Sequence, residues 1–462
     1  MLDVSDEDIV DGPITRTLLV LAAPLVAQNF VVIAQQVVDL FWVGRLGEPP
    51  VAALGLLAPV IGLLSAGVFV VFVGAQVNVA QRAGADEPDA AIRTAVQGAL
   101  LGFAAYAVVT AAVLALVDPV FARLPLDAAV AGAAAAYLGV YALGLAPMAA
   151  SNALEAGLVG FGDTRGAFVI TAATIGTNVV LDPLLIFGYA GVPALGIRGA
   201  ALATALGYVA GLLTVLVLVA RGRRGFRLRR SHLAIDAALA RDVIDVGGPN
   251  GVQNAARQVA RLLVVGVVSA AGGAAGLAAY TVGARVATIA FVPPQGLGQA
   301  ASSIIGQSLG ADRPDRAERT TWVGIAVACG GLLVVGALQW RFPAAIAHAF
   351  APTLDGQALA HTVSYLRILA YGYWAFGAIY VFEAGFNGAS RTRVSMVMTM
   401  LQYWAVRLPV AAVGALALGF GVTAVFWAVT ASNVAAAVGA GVYYRYSTRN
   451  GMLERAADAA GS

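Results

Sequence analysis

Thr177-Asn178-Val179-Val180-Leu181-Asp182-Pro183 is the stretch that decides the fold. It sits inside a run otherwise apolar enough to cross a bilayer. On a helix Asn178 and Asp182 share one face, about 6 Å apart along the axis. Thr174 and Thr171 continue that face toward the start of the run, so polar groups recur at helical spacing. A carboxylate at this depth costs about 3 kcal/mol or more unless a partner, water or an ion meets it. Pro183 follows at once and leaves a nearby carbonyl without its helical hydrogen bond. The stripe therefore predicts a membrane helix whose acid binds something.

The rest of the composition agrees. Of 462 residues, 60% are hydrophobic and 11% charged, against about 25% charged in soluble domains. Apolar segments recur from residue 17 to residue 443 with no soluble interval. The acidic N-terminus, Met1 to Asp11, lacks the basic region of a signal peptide and is expected to be retained. One cysteine, Cys329, excludes an internal disulfide framework and a cysteine-based metal cluster. His232, His348 and His361 are scattered, with no metal-ligand spacing. All 28 basic residues are arginine, and a net charge of +3 gives no support to nucleic-acid binding.

Twelve candidate spans of about 20 apolar residues follow, centred near residues 30, 65, 105, 145, 178, 209, 258, 291, 330, 374, 405 and 432. The one long connection, Arg221 to Arg241, is rich in arginine, and positive loops stay cytoplasmic. It follows the sixth span, so both termini are expected in the cytoplasm. Arg82, Arg93, Arg165, Arg313, Arg391 and Arg445 fall on the same side; Arg45, Arg123, Arg198 and Arg341 fall on the other. The chain reads as residues 1–220, a cytoplasmic linker over 221–243 that tolerates insertions, residues 244–445, and a cytoplasmic tail over 446–462.

The two long segments are copies of one another at an offset of 225 to 228 residues. Pro24, Gln28 and Asn29 recur as Pro249, Gln253 and Asn254; Gly84-Ala85-Asp86 recurs as Gly310-Ala311-Asp312. Glu155-Ala156-Gly157 recurs as Glu383-Ala384-Gly385, Pro183 as Pro409, and Gly196 as Gly421. Six spans per copy is an even number, so the repeats are parallel, a build common in secondary transporters, with substrate between the halves. The copies differ in charge. Asp39 and Asp182 align with Val264 and Leu408, so both deep acids belong to the first copy. Asp39 shares a face with Gln35 and Gln28, and Pro24 near the start of that span can kink it. The seventh span instead carries Asn250, Gln253, Arg257 and Arg261, a polar and cationic stripe.

With these residues the chain resembles the multidrug and toxic compound extrusion (MATE) transporters. Pro24-Leu25 with Asp39-Leu40-Phe41-Trp42-Val43-Gly44 carries the likeness. So do Gly160-x-Gly162-Asp163-Thr164-Arg165, Asn178 with Asp182-Pro183, and Gly199-Ala200-Ala201-Leu202-Ala203-Thr204. The resemblance implies an all-α integral membrane protein of twelve transmembrane helices in a V-shaped, two-lobed bundle. Within the family the acids are similar to those of the prokaryotic branch named for the DNA-damage-inducible F protein. That likeness implies a first-lobe cation site at Asp39, Asn178, Asp182 and Thr204, taking H+ or Na+, with a sodium ion held by Asp39, Asn178 and Asp182. It implies no other cofactor. Gln253 stands where the other prokaryotic branch has an acid, so no second-lobe sodium site is carried over.

Gln28, Gln35, Thr171, Thr174, Gln253, Arg257 and Arg261 are candidates for lining a substrate cavity. Pro24, Glu155 and Glu383 are candidates for gating or structural roles. Tyr137, Tyr141, Tyr371, Tyr373 and Trp374 offer aromatic faces for planar or cationic drugs. The favoured function is cation-coupled antiport of amphipathic or cationic organic compounds, drugs or toxic metabolites, by alternating access. It is expected of a monomer in the cell membrane of a prokaryote. The alternative is a flippase for lipid or lipid-linked saccharide, since Arg257, Arg261, Arg285, Arg367 and Arg407 suit an anionic headgroup. A membrane enzyme would need a nucleophile–base pair or metal motif that the sequence lacks.

Overall fold

The computed structural model describes residues 11–223 and 226–460. Most of the acidic N-terminus, two residues of the middle loop and the last two residues of the tail lie outside it. The described residues form helices and no strands. The first copy comprises α1 (Ile14–Gly44), α2 (Glu48–Gly84), α3 (Pro88–Phe121), α4 (Ala128–Ala142), α5 (Leu145–Gly160), α6 (Thr164–Phe187) and α7 (Ile197–Ala220). Next comes α8 (Ala237–Gly310), 74 residues long and broken only where Gly273 takes φ 54° and ψ −149°. The second copy continues with α9 (Pro314–Arg341), α10 (Pro343–Phe350), α11 (Gly356–Tyr371), α12 (Tyr373–Gly388), α13 (Thr392–Ala417) and α14 (Val422–Arg449). A short α15 (Met452–Ala460) ends it.

Among the described residues nine helices are long and apolar enough to cross a membrane, and α4 with α5, bent by 47°, adds a tenth. Gly273 divides α8 into two stretches that each exceed the roughly 20 residues a bilayer needs. The pair α11 and α12, joined at Gly372, is the second copy's counterpart of α4 and α5. Twelve membrane-crossing segments result, six in each copy, as the sequence predicts.

The duplication extends to backbone detail. Asp86 and Asp312 close α2 and α8 in the left-handed conformation, with φ of 60° and 55°, and a proline opens the next helix in each case. A Cβ on Gly160 would lie 2.8 Å from the Gln76 carbonyl oxygen, and one on Gly388 would lie 3.0 Å from that of Ser302. Each glycine admits the equivalent neighbouring helix, so the two copies share their helix packing as well as their residues.

The chain forms two compact units. One is Ala27–Gly251; the other joins the described residues up to Val26 to those from Val252 onward. The units thus differ from the two copies of the repeat by the first half of α1 and the opening turns of α8, residues 237–251. Gly98, against Val243 in the first unit, matches Gly324, against Leu18 in the second. The middle loop does more than tether. Phe226 is fully buried in the core of the 27–251 unit, and Arg223 pairs with Asp163, the cap of α6. Gln97 brackets the loop, donating to Ala234 O at 2.7 Å and accepting from Asp236 N at 3.1 Å. Arg82 pairs with Asp242 at 2.9 Å. Phe226 in the core, with Leu228 packed against it, docks the loop on the 27–251 unit rather than leaving it a bare tether.

Candidate functional site

The site begins with a seam between α6 and α7. Along α7, Gly199, Ala203, Gly207 and Gly211 recur every fourth residue and so share a face. A Cβ on Gly207 would lie 2.7 Å from Thr174 O, and one on Gly211 would collide with the Thr174 hydroxyl. Only small residues let the two backbones approach so closely. The approach sets Thr204 beside Asn178, and α1 supplies Gln35 and Asp39 from a third helix.

Asn178 and Asp182 are each 1% exposed. The Asn178 amide is oriented with its nitrogen toward Asp39 Oδ1 at 3.0 Å, because its oxygen there would face another acceptor. Its oxygen then accepts from the Thr204 hydroxyl at 3.3 Å, and the Gln35 amide lies 2.8 Å away. The same Thr204 hydroxyl lies 3.1 Å from Ala200 O of its own helix, so its one proton is shared between the two acceptors. Asp39 and Asp182 are close enough for each carboxyl group to act on the other. Two ionised carboxylates have no proton to share, and both buried oxygens of Asp182 then have no hydrogen-bond partner. A proton held between the two acids, or a cation bound to both, removes that deficit.

Tyr137 lies beside Thr204 and in the field of both acids. Tyr208, one turn beyond Thr204, lies in the field of Asp39, and its hydroxyl is 3.5 Å from that of Tyr141. The sequence suggested Tyr137 and Tyr141 only as drug-facing rings and passed over Tyr208. The four-residue spacings of Tyr137 with Tyr141 and Thr204 with Tyr208 were the available signal.

Other candidates lie elsewhere. Gln28 donates to Glu155 at 2.6 Å, away from the Asp39 face assigned to it by helical spacing. Thr174 bonds to Ile170 O of its own helix at 3.0 Å. Thr171 is buried on α6, and Pro24 sits within an unbroken α1. In the second unit Gln253 donates to Glu383 at 2.8 Å and to Thr399 at 2.7 Å, which repeats the Gln28–Glu155 pair. Arg257 adds an ion pair to Glu383 at 3.5 Å; the first copy has Val32 in its place. Arg261 is exposed, as are Arg285 and Arg367.

The donor set fits a hard cation or a proton. Two carboxylates and the Thr204 hydroxyl bring oxygen atoms from three helices, with the Asn178 nitrogen on Asp39. Among the described residues there is no group of three or more histidine, cysteine, aspartate or glutamate side chains of the kind that holds a transition metal.

The MatE family model matches residues 24–184 and again 249–413, one match per copy. The chain belongs to the MatE family. As a MatE protein it is a multi-pass membrane transporter and not an enzyme. A probable multidrug resistance protein NorM of Thermotoga maritima is 26% identical over 405 residues, which cover 86% of this chain and 85% of that one. A FAD transporter of Shewanella oneidensis is 26% identical over 412 residues, covering 88% and 89%. Among solved structures, a MOP superfamily transporter from Pyrococcus furiosus superposes with a TM-score of 0.90 at 23% identity, covering 98% and 99% of the two chains. That likeness shows the MatE fold.

Proposed function

We propose that the chain is a secondary active exporter of small organic molecules, coupled to H+ or Na+ through Asp39, Asn178, Asp182 and Thr204. The observation that carries this reading is the buried Asp182 carboxylate, which has no donor on either oxygen and faces a second acid. An acid serving only structure at this depth would be paired with an arginine or fully hydrogen-bonded. The multidrug names of several relatives support organic cargo, and the FAD name of another extends that range to molecules carrying phosphate.

The chemistry of coupling follows from the acids. With the site empty of cations the two carboxylates repel, which favours a conformation that separates or hydrates them. A proton or sodium ion cancels the repulsion and favours the closed arrangement. Cargo that prefers the other conformation is then linked to the ion through one equilibrium. Competition between the two ions is expected, since each satisfies the same oxygen atoms.

The test is efflux of ethidium from proteoliposomes under a sodium gradient or a proton gradient, imposed separately. Asp182→Asn keeps the shape and removes the charge. It is expected to abolish gradient-driven efflux and its ion dependence. Undiminished pumping with unchanged ion dependence would show that coupling lies elsewhere.

A further inference from the structure

The second unit concentrates cations where the first concentrates acids. Arg407 is 5% exposed and stands well inside α13. Its described partners are all neutral: Nε donates to Ser432 at 2.9 Å, Nη2 donates to Asn433, and the guanidinium lies 4.0 Å over the Tyr403 ring. The Trp404 indole donates to Ala256 O at 3.3 Å, so the helix that carries Arg257 and Arg261 packs against that of Arg407, and both arginines add to the positive field at Tyr403. The one carboxylate among them, Glu383, already accepts from Gln253 and Thr399 and pairs with Arg257 alone. The Nε of Arg257 is buried without a partner. Arg407 and Arg257 against one acid leave an uncompensated positive charge where even one costs about 3 kcal/mol, and Arg261 adds a third cation beside them.

The scaffold does not require these residues. At the repeat offsets Arg407 aligns with Leu181, Arg257 with Val32 and Arg261 with Gln36, and the first copy builds the same helices without them. The helix that carries Arg407 is also irregular. It widens into a π turn over Leu401–Arg407 just before Pro409, whereas α6 runs as a regular α-helix through the equivalent stretch. A π turn of this kind re-aims side chains and often marks a functional position. Tyr280 and Tyr380 lie in the same field, giving the cations an aromatic surround.

We infer that Arg257, Arg261 and Arg407 around Tyr403 form a binding site for the anionic group, a phosphate or carboxylate, of a ring-bearing organic molecule. Guanidinium forks match such groups in geometry and supply the missing counter-charge. The aromatic rings suit the remainder of the molecule. That the molecule is cargo rests on the transport reading above; that the site binds anions does not.

The probe pair is flavin mononucleotide and riboflavin, which share a ring system and differ by one phosphate. They are titrated by fluorescence against full-length protein in phosphatidylcholine nanodiscs. The nucleotide is expected to bind at least about tenfold more tightly, equivalent to about 1.4 kcal/mol. Arg407→Gln is expected to reduce that preference below about threefold. Arg261→Gln, with an exposed side chain, is expected to do the same and keeps the test decisive if the buried variant fails to fold. Equal binding of the two flavins, or a preference that survives both substitutions, overturns the site. Nanodiscs containing phosphatidylglycerol separate the sources of the anion. Weakening of the nucleotide by that lipid in wild type, absent in Arg261→Gln, supports the site with a headgroup as its occupant; no weakening supports a soluble anion. The titration uses no ion gradient. A protein that shows the preference but fails the efflux assay therefore sinks the coupling reading alone, and the converse sinks the anion site alone.

Discussion

Glu155 and Glu383 occupy equivalent positions, and each accepts from the equivalent glutamine, but only Glu383 faces an arginine. Removing one partner of a buried ion pair leaves an uncompensated charge and costs about 3 kcal/mol or more. Losing charge from a carboxylate held by a neutral amide costs about 1 kcal/mol. Glu383→Gln should therefore lower thermal stability in nanodiscs much more than Glu155→Gln, and equal shifts would show that Arg257 does not depend on Glu383. Single residues were unevenly legible. Asp182 and Asn178 stood out because a polar residue in an apolar run is costly whatever surrounds it. Gln28 was misplaced because a helical face is some 100° wide, and spacing alone did not separate the direction of Asp39 from that of Glu155. Arg407 was visible as a charge, but Tyr403 beside it draws no notice in a sequence rich in aromatic residues.

The seam of α6 and α7 carries the acid site, and its glycines make a sharp prediction. A methyl group on Gly207 meets the backbone carbonyl of Thr174, so the helices must part. Gly207→Ala should cost about 1 to 3 kcal/mol in stability and blunt the ion dependence of efflux by moving Thr204 away from Asn178. Preserved ion dependence in a destabilised protein would show that the seam supports the fold only. The middle loop offers a second element-scale test. Phe226→Ala should cost roughly 3 kcal/mol, as an emptied core position does, whereas a free tether would lose nothing in a thermal melt. Helices were legible because their apolar runs exceed the thickness of a bilayer. The docking of the loop was not, since residues 221–230, with six arginines among ten, read as a solvated charge run, and one phenylalanine gives no periodicity.

At the scale of the whole molecule the arginine bias orients the chain. In a Cys329→Ser background, Arg230→Cys is expected to label from the cytoplasmic side and Val192→Cys from the opposite side. Labelling of both from one side would overturn the assigned orientation. The twelve crossings and their duplication were readable because two copies of one pattern check each other: Gly84-Ala85-Asp86 and Gly310-Ala311-Asp312 identify the same helix end twice. The compact units were not readable, since their boundaries fall inside α1 and α8 with no change of composition to mark them.

Those boundaries bear on how the protein is made. A gene cut within the middle loop would yield two polypeptides, each lacking a helix segment that its own compact unit requires. Neither fragment is expected to persist when expressed alone. Co-expression should rescue both, because each carries the piece missing from the other. The first half of α1 is synthesised long before the residues it joins, from Val252 onward. That unit is completed only late in translation, and the earliest span of the nascent chain must wait for it.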